Sequence, residues 1–247
     1  MRKLIPCLVS ALILFISGCG SEKDRNEIHF VTSAEYPPFE YQEQGQIKGF
    51  DIDLAKLVAK ELGKKAVFDN MQFSSILPAL SAGQADIAIS TITITEDRKK
   101  NFDFSTPYYF EGMAAVFNQT TPINNPSQLA GKKLACQLGS TMEIWLKNHF
   151  PQGDIVAMDN NNQAIEALKA GHVDVVLVDG AQGAIFSKKN PGLNYTIIAK
   201  ATDGYGLAFK KNSLLKAQVN RALNTLKTNG EIAKLQKIWL EGGKWKS

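Results

Sequence analysis

Residues 79–87 read Ala-Leu-Ser-Ala-Gly-Gln-Ala-Asp-Ile, and residues 167–175 read Ala-Leu-Lys-Ala-Gly-His-Val-Asp-Val. Each copy describes a helix end, a glycine stop and the start of an apolar strand. One such string fits any helix-to-strand connection. Two copies, each leading into an apolar strand, point to two lobes of related build. Around them short apolar strands alternate with amphipathic helices, the α/β pattern of mostly parallel sheets. Segment 28–32 reads as a strand and 67–70 as the next one, while 132–137 is the second lobe's counterpart of 28–32. Between the first two strands, Leu54, Leu57, Val58 and Leu62 share one face of a helix over 51–62 that stops at Gly63.

The segments that follow the strands are polar. They are Ser33-Ala34-Glu35-Tyr36, Ser90-Thr91-Ile92-Thr93, Leu138-Gly139-Ser140-Thr141 and Asp179. Parallel α/β sheets bind ligands beyond the carboxyl ends of their strands, so four such loops, two per lobe, outline one cleft. An apolar strand over 113–117 with a polar link over 118–125, and a glycine-containing stretch over 202–209, mark the crossings between lobes. They divide the chain into a discontinuous lobe 1, residues 27–115 plus 206–247, and a lobe 2 of residues 116–205. Lobe 1 then takes in helices near 214–226 and 231–240, and the two crossover strands form a hinge.

Two charged residues in the cleft have open readings. Thr95 is an expected helix N-cap with Glu96 and Asp97 favourable in the first turn, so Arg98 is a cation opposing the helix dipole. Its planar fork either holds a carboxylate, beside hydroxyls of Ser90, Thr91 and Thr93, or forms a surface ion pair with Glu96 or Asp97. Asp179 either accepts an ammonium at the sheet's edge or caps the helix that starts near Ala181. Gly139, Ser140 and Thr141 precede a helix over 142–149 and offer N–H groups suited to an anion. Tyr36 and Phe73 each follow a strand, where they either pack or flank an aliphatic or guanidinium group.

Arg2 and Lys3 precede an apolar run over 4–16, too short to span a bilayer and right for a secretory signal, so residues 1–18 are excluded from the fold. Ile16-Ser17-Gly18-Cys19 resembles the lipobox of bacterial lipoproteins, which implies a lipidated Cys19 and a short polar tether over 19–26. An ordinary signal peptide cleaved nearby is the alternative. Of three cysteines, Cys7 goes with the signal and Cys19 with the lipid, so Cys136 has no disulfide partner. Roughly 225 remaining residues suffice for a hydrophobic core without cross-links. Losing Arg2 and Lys3 lowers the formal charge from +4 to about +2, which favours neither nucleic acid nor an acidic polymer as partner. His29, His149 and His172 are scattered without ligand spacing, so no metal or other cofactor is expected.

Tyr36-Pro37-Pro38-Phe39-Glu40, Gly49-Phe50-Asp51-Ile52-Asp53-Leu54-Ala55, Thr93-Ile94-Thr95-Glu96-Asp97-Arg98 and Phe104-Ser105-Thr106-Pro107-Tyr108-Tyr109 together resemble the polar amino-acid family of bacterial solute-binding proteins. The resemblance covers essentially the whole mature chain. It implies a two-lobed periplasmic-binding-protein type II fold and a monomeric, extracytoplasmic receptor that closes on a free L-amino acid and delivers it to an ABC permease in the inner membrane. It further implies that Arg98 holds the ligand carboxylate, aided by N–H groups near Thr93 and Thr141, and that Asp179 accepts the ammonium. Tyr36 and Phe73 match the positions that sandwich the ligand side chain, while Ser90, Thr91, Gln137 and Ser140 match other lining positions. Receptors for basic amino acids often carry an acidic residue where this chain has Ser33. With Glu35, Glu40 or Gln137 as candidate acceptors, the aromatic pair suits arginine best, then other basic amino acids, then glutamine. Cyclohexadienyl dehydratases look like these receptors, but the cleft offers no evident general base beyond Asp179 and Glu40.

Overall fold

The computed structural model of the chain describes residues 26–201 and 203–241. The expected signal segment and Cys19 lie outside them. The chain opens with β1 (Glu27–Thr32) and a small antiparallel ribbon of β2 (Glu35–Tyr36), β3 (Glu40–Glu43) and β4 (Gln46–Lys48). It continues through α1 (Phe50–Glu61), β5 (Lys65–Asn70), α2 (Phe73–Ala82), β6 (Ile87–Ala88), α3 (Glu96–Asn101) and β7 (Phe102–Phe104). A second unit follows, built from β8 (Met113–Asn118), β9 (Lys133–Gln137), α4 (Thr141–His149), β10 (Asp154–Met158), α5 (Asn161–Lys169), β11 (Val175–Asp179), α6 (Gly180–Lys189) and β12 (Leu193–Ala199). The chain then returns as β13 (Ala208–Lys210), α7 (Leu215–Thr228) and α8 (Glu231–Gln236), followed by a π-helical turn, Lys237–Glu241.

The two main sheets share one plan. Their strand orders are β5-β1-β6-β13-β7 and β10-β9-β11-β8-β12, each with three parallel strands and an antiparallel pair at one edge. The duplicated string produces the same local bonds in both. Gly83 and Gly171 adopt left-handed φ of 78° and 72°, a conformation glycine reaches without a Cβ clash. Three residues later the Asp86 carboxylate accepts the His29 N–H at 2.9 Å, and the Asp174 carboxylate accepts the Lys133 N–H at 2.8 Å. The repeated aspartate thus clips the third parallel strand of each lobe to the first. Along β11, Val176 and Val178 pack with Ala164, Ile165 and Leu168 of α5, whereas Val175 and Leu177 pack with Met142 and Leu146 of α4. Both faces of the strand are covered, which is why its sequence is a continuous apolar run.

The returning helices complete lobe 1. Val219, Leu223 and Leu226 of α7 and Leu235 of α8 join Phe30, Leu54 and Val58 in one core. The crossings are segments 105–112 and 203–207, which run antiparallel where the Tyr205 N–H donates to the Tyr109 carbonyl and the Tyr205 carbonyl accepts the Tyr108 N–H. The first crossing is expected over the strand 113–117 and the polar link 118–125, with lobe 1 ending at residue 115. That boundary falls inside β8, whose whole length pairs with β11 and β12, so the crossing precedes Met113.

Candidate ligand-binding cleft

The polar loops after the parallel strands of both lobes face one another. Tyr36, Phe73, Thr91, Thr93 and Arg98 from lobe 1 line the same small cavity as Gln137, Ser140, Thr141 and Asp179 from lobe 2. Met142, Asn161, Leu177 and Val178 complete the wall. The first two are α-helical residues whose orientation a motif reading does not reveal, and the last two belong to a strand read as core. The cavity holds about 20 Å³, far below the ~300–1,000 Å³ of sites that enclose a small molecule. At this point the walls leave no room for an amino acid, while Thr93, Thr141, Met142 and Asp179 also line a neighbouring cavity of about 310 Å³.

Arg98 resolves in favour of a cleft role. Thr95 caps α3, its hydroxyl accepting the Arg98 N–H at 3.2 Å. Glu96 pairs with Lys99 and Asp97 with Lys100, which leaves the guanidinium free to turn inward. Its Nη1 donates to the Thr93 carbonyl at 2.9 Å and its Nη2 to the Gly139 carbonyl of the opposite lobe at 3.0 Å. The guanidinium carbon lies 6.0 Å from the Phe73 ring centroid. Burial pulls the Arg98 group down to about 10 while Asp179 opposes that shift, so it remains charged at neutral pH.

Asp179 ends β11 and stands at the N-terminus of α6, but its side chain makes no capping bond there. Its Oδ2 instead accepts the Tyr36 hydroxyl at 2.5 Å across the cleft. Burial pushes the carboxyl up to about 7; Tyr36, Tyr205 and Arg98 hold it down, and Glu111 pushes it further up. Tyr205, which escaped the sequence reading, is fully buried in the returning crossover. Its flanks, Gly204 and Gly206, press against Tyr109 and Ile94, a close approach that the Gly-Tyr-Gly spacing alone signals. A third contact between lobes runs from Gln182 Nε2 to the Pro37 carbonyl.

Other expected residues sit differently. Ser140 is the N-cap of α4, its hydroxyl accepting the Glu143 N–H, and the Gly139 N–H is taken by the Glu143 carboxylate. Gln137 reaches the Asp159 carbonyl at 3.4 Å. Ser90 is buried behind the cavity, where its hydroxyl accepts the Ser33 N–H and donates to Glu40. Ser33 is buried as well, and uses its backbone rather than its hydroxyl in that bond. Glu35 is exposed on β2, because strand neighbours point to opposite sides and Tyr36 takes the inward one. Glu40 is fully buried one layer beneath the cleft and does not line it.

The description "Bacterial extracellular solute-binding proteins, family 3" matches residues 28–242. The chain belongs to that family. As an extracellular solute-binding protein of family 3, it works outside the cytoplasm. Its relatives include the arginine-binding extracellular protein ArtP of Bacillus subtilis (strain 168), 35% identical, with 99% of this chain and 100% of ArtP covered. Similar solved structures include an ancestral arginine-binding protein bound to arginine, with TM-score 0.84, 38% identity and coverage of 87% and 99%. The ancestral arginine-binding protein bound to glutamine gives TM-score 0.83 and 39% identity, with 89% and 99% covered. The expected two-lobed α/β architecture of this family is borne out.

Proposed function

We propose that the chain is the substrate-binding subunit of an ABC importer for a polar amino acid, with arginine or another basic amino acid preferred and glutamine as the alternative. One observation carries this reading. Arg98 of lobe 1 is buried and Asp179 of lobe 2 half-buried, and the two, opposite in charge when ionised, face the same cavity. A free amino acid supplies a carboxylate for one and an ammonium for the other, and so offsets the desolvation of both on closure. Tyr36 and Phe73 sandwich the side chain, with Thr91, Thr93, Gln137, Ser140 and Thr141 around it. The lobes part, admit the ligand and reclose, and the closed form docks on the permease. The protein binds its ligand without chemical change, acts as a monomer, and is held at the membrane by a lipid on Cys19. The arginine named for the relatives supports the ligand class.

The test is a thermal melt of residues 20–247, refolded to strip carried-over ligand, against the twenty amino acids plus ornithine and citrulline. A ligand at a hundredfold excess over its Kd stabilises by about 2.7 kcal/mol, a rise of roughly 5–10 °C at this size. Absence of any rise would overturn the proposal.

Affinity should also depend on pH. The ammonium requires ionised Asp179, whose carboxyl titrates at about 7 in the closed arrangement. Below that value a proton must be lost on binding, so affinity for every amino acid falls as pH drops, approaching tenfold per unit, and levels off above it. Calorimetric titrations between pH 5 and 8 check this, and Asp179→Asn should give weak binding with no such slope. A flat wild-type profile would remove Asp179 from the site.

A further inference from the structure

Beneath the cleft lies a pair of carboxyl groups that the reading above does not use. Glu40 of β3 and Asp51 of α1 are both fully buried. Glu40 Oε1 accepts the Ser90 hydroxyl at 2.8 Å. Asp51 Oδ2 accepts two donors at 2.8 Å, the Thr91 N–H and the Tyr108 hydroxyl. The other oxygen of each, Glu40 Oε2 and Asp51 Oδ1, has no donor, although the two carboxyls act on each other as hydrogen-bonding partners. Two buried carboxylates in contact cannot both stay ionised, and one proton between their orphan oxygens satisfies both. The pair then carries one net negative charge. Among the described residues, the ionisable groups that act on it are Tyr108 from the first crossover, Tyr36 from β2 and Asp179 from lobe 2. None of these is a cation.

That charge sits directly behind the cleft wall. Thr91 lines the cavity, with φ at 46°, and its N–H is the one held by Asp51. Tyr36 lines the cavity and faces Glu40. We propose that the Glu40–Asp51 pair, sharing one proton, selects a cationic ligand side chain from beneath the wall and holds Thr91 against it. Both residues are positioning and specificity residues that do not touch the ligand, and the inference rests on the amino-acid-binding reading.

The test is the ratio of affinities for arginine and citrulline, which have the same shape but differ in charge. In this ratio the effect of Asp179 cancels, because both ligands carry the same ammonium. Burial pushes Asp51 up to about 6, and Glu40 lies well above the usual carboxylate range. The pair therefore gains negative charge as pH increases from 5 to 7.5, and the ratio should rise over that range. The double variant Glu40→Gln/Asp51→Asn removes the charge and should lower the ratio at pH 7.5 by about tenfold, as expected for one charge at short range in a partly polar medium. A wild-type ratio flat across this pH range overturns the inference without any variant, as does a double variant that keeps the wild-type ratio. If neither ligand binds at any pH, the amino-acid reading itself fails.

Discussion

Arg98→Ala is expected to abolish the thermal protection of this protein by arginine. Among the described residues of the cleft wall, the guanidinium alone offers a carboxylate two parallel N–H donors from a buried fork. Removing one member of a desolvated charge pair costs about 2–5 kcal/mol and leaves the other member unpartnered. That corresponds to a loss of roughly 30-fold to several thousand-fold in affinity. Arg98→Lys keeps the charge but not the fork, and should fall between wild type and alanine. Calorimetric titration at pH 7.5 measures all three, with circular dichroism of the unliganded proteins to verify the fold. Because Arg98 also bridges to Gly139 of lobe 2, the alanine variant should be looser in the unliganded state. Wild-type affinity in Arg98→Ala would remove the carboxylate from this side of the cleft and undo the proposed ligand orientation.

The second large effect concerns stability. Gly49 immediately precedes α1 with φ at 131°, and a Cβ there would stand 2.1 Å from the Phe39 carbonyl oxygen and 2.9 Å from the Glu40 nitrogen. That same carbonyl accepts the Asp51 N–H at 2.9 Å. The clash is with backbone held on both sides, so no side-chain rotation relieves it. Gly49→Ala should therefore lose more than about 4 kcal/mol, the range reserved for disrupted backbone or core, and lower Tm by roughly 10 °C or more. Gly45→Ala is the control, since φ is 77° there and nothing lies within 4 Å of the added carbon. It should lose only about 1–2 kcal/mol from the left-handed backbone. Scanning calorimetry of the pair separates steric overlap from backbone conformation. Equal Tm values would mean that the Phe39 segment yields easily, and the Glu40–Asp51 pair would then be a soft feature.

The duplicated string was legible because its bonds are local in kind: a left-handed glycine and an aspartate that reaches the neighbouring strand do the same work wherever they recur. Arg98 and Asp179 were legible as candidates, since each stands at an element terminus, but only the fold shows that Glu96 and Asp97 pair with lysines and that the Asp179 side chain makes no capping bond. The position of the first crossover was not legible. Met113-Ala-Ala-Val-Phe suits a central strand of either sheet, and its partners β11 and β12 lie some sixty to eighty residues further on in the chain. The burial of Glu40 was not legible for a related reason. A glutamate beside a cleft motif reads as an exposed acceptor, while its burial is fixed by Asp51 and Ser90, which only the folded chain brings to it. Glu35 needed less: its immediate neighbour Tyr36 already claimed the inward face.

The contacts across the closed cleft make the protein its own competitor. The carbonyls of Thr93 and Gly139 occupy the Arg98 fork as the ligand carboxylate would in the proposed pose, and the Tyr36 hydroxyl occupies Asp179 as the ligand ammonium would. In that pose an arriving amino acid exchanges these partners for its own, so its measured affinity would be a difference between two sets of similar bonds. The apparent Kd exceeds the intrinsic one by the inverse of the fraction of molecules that stand open. Discrimination is sharpened by the same device, because a solute that matches only one of the two charges gains less than the protein already gives itself.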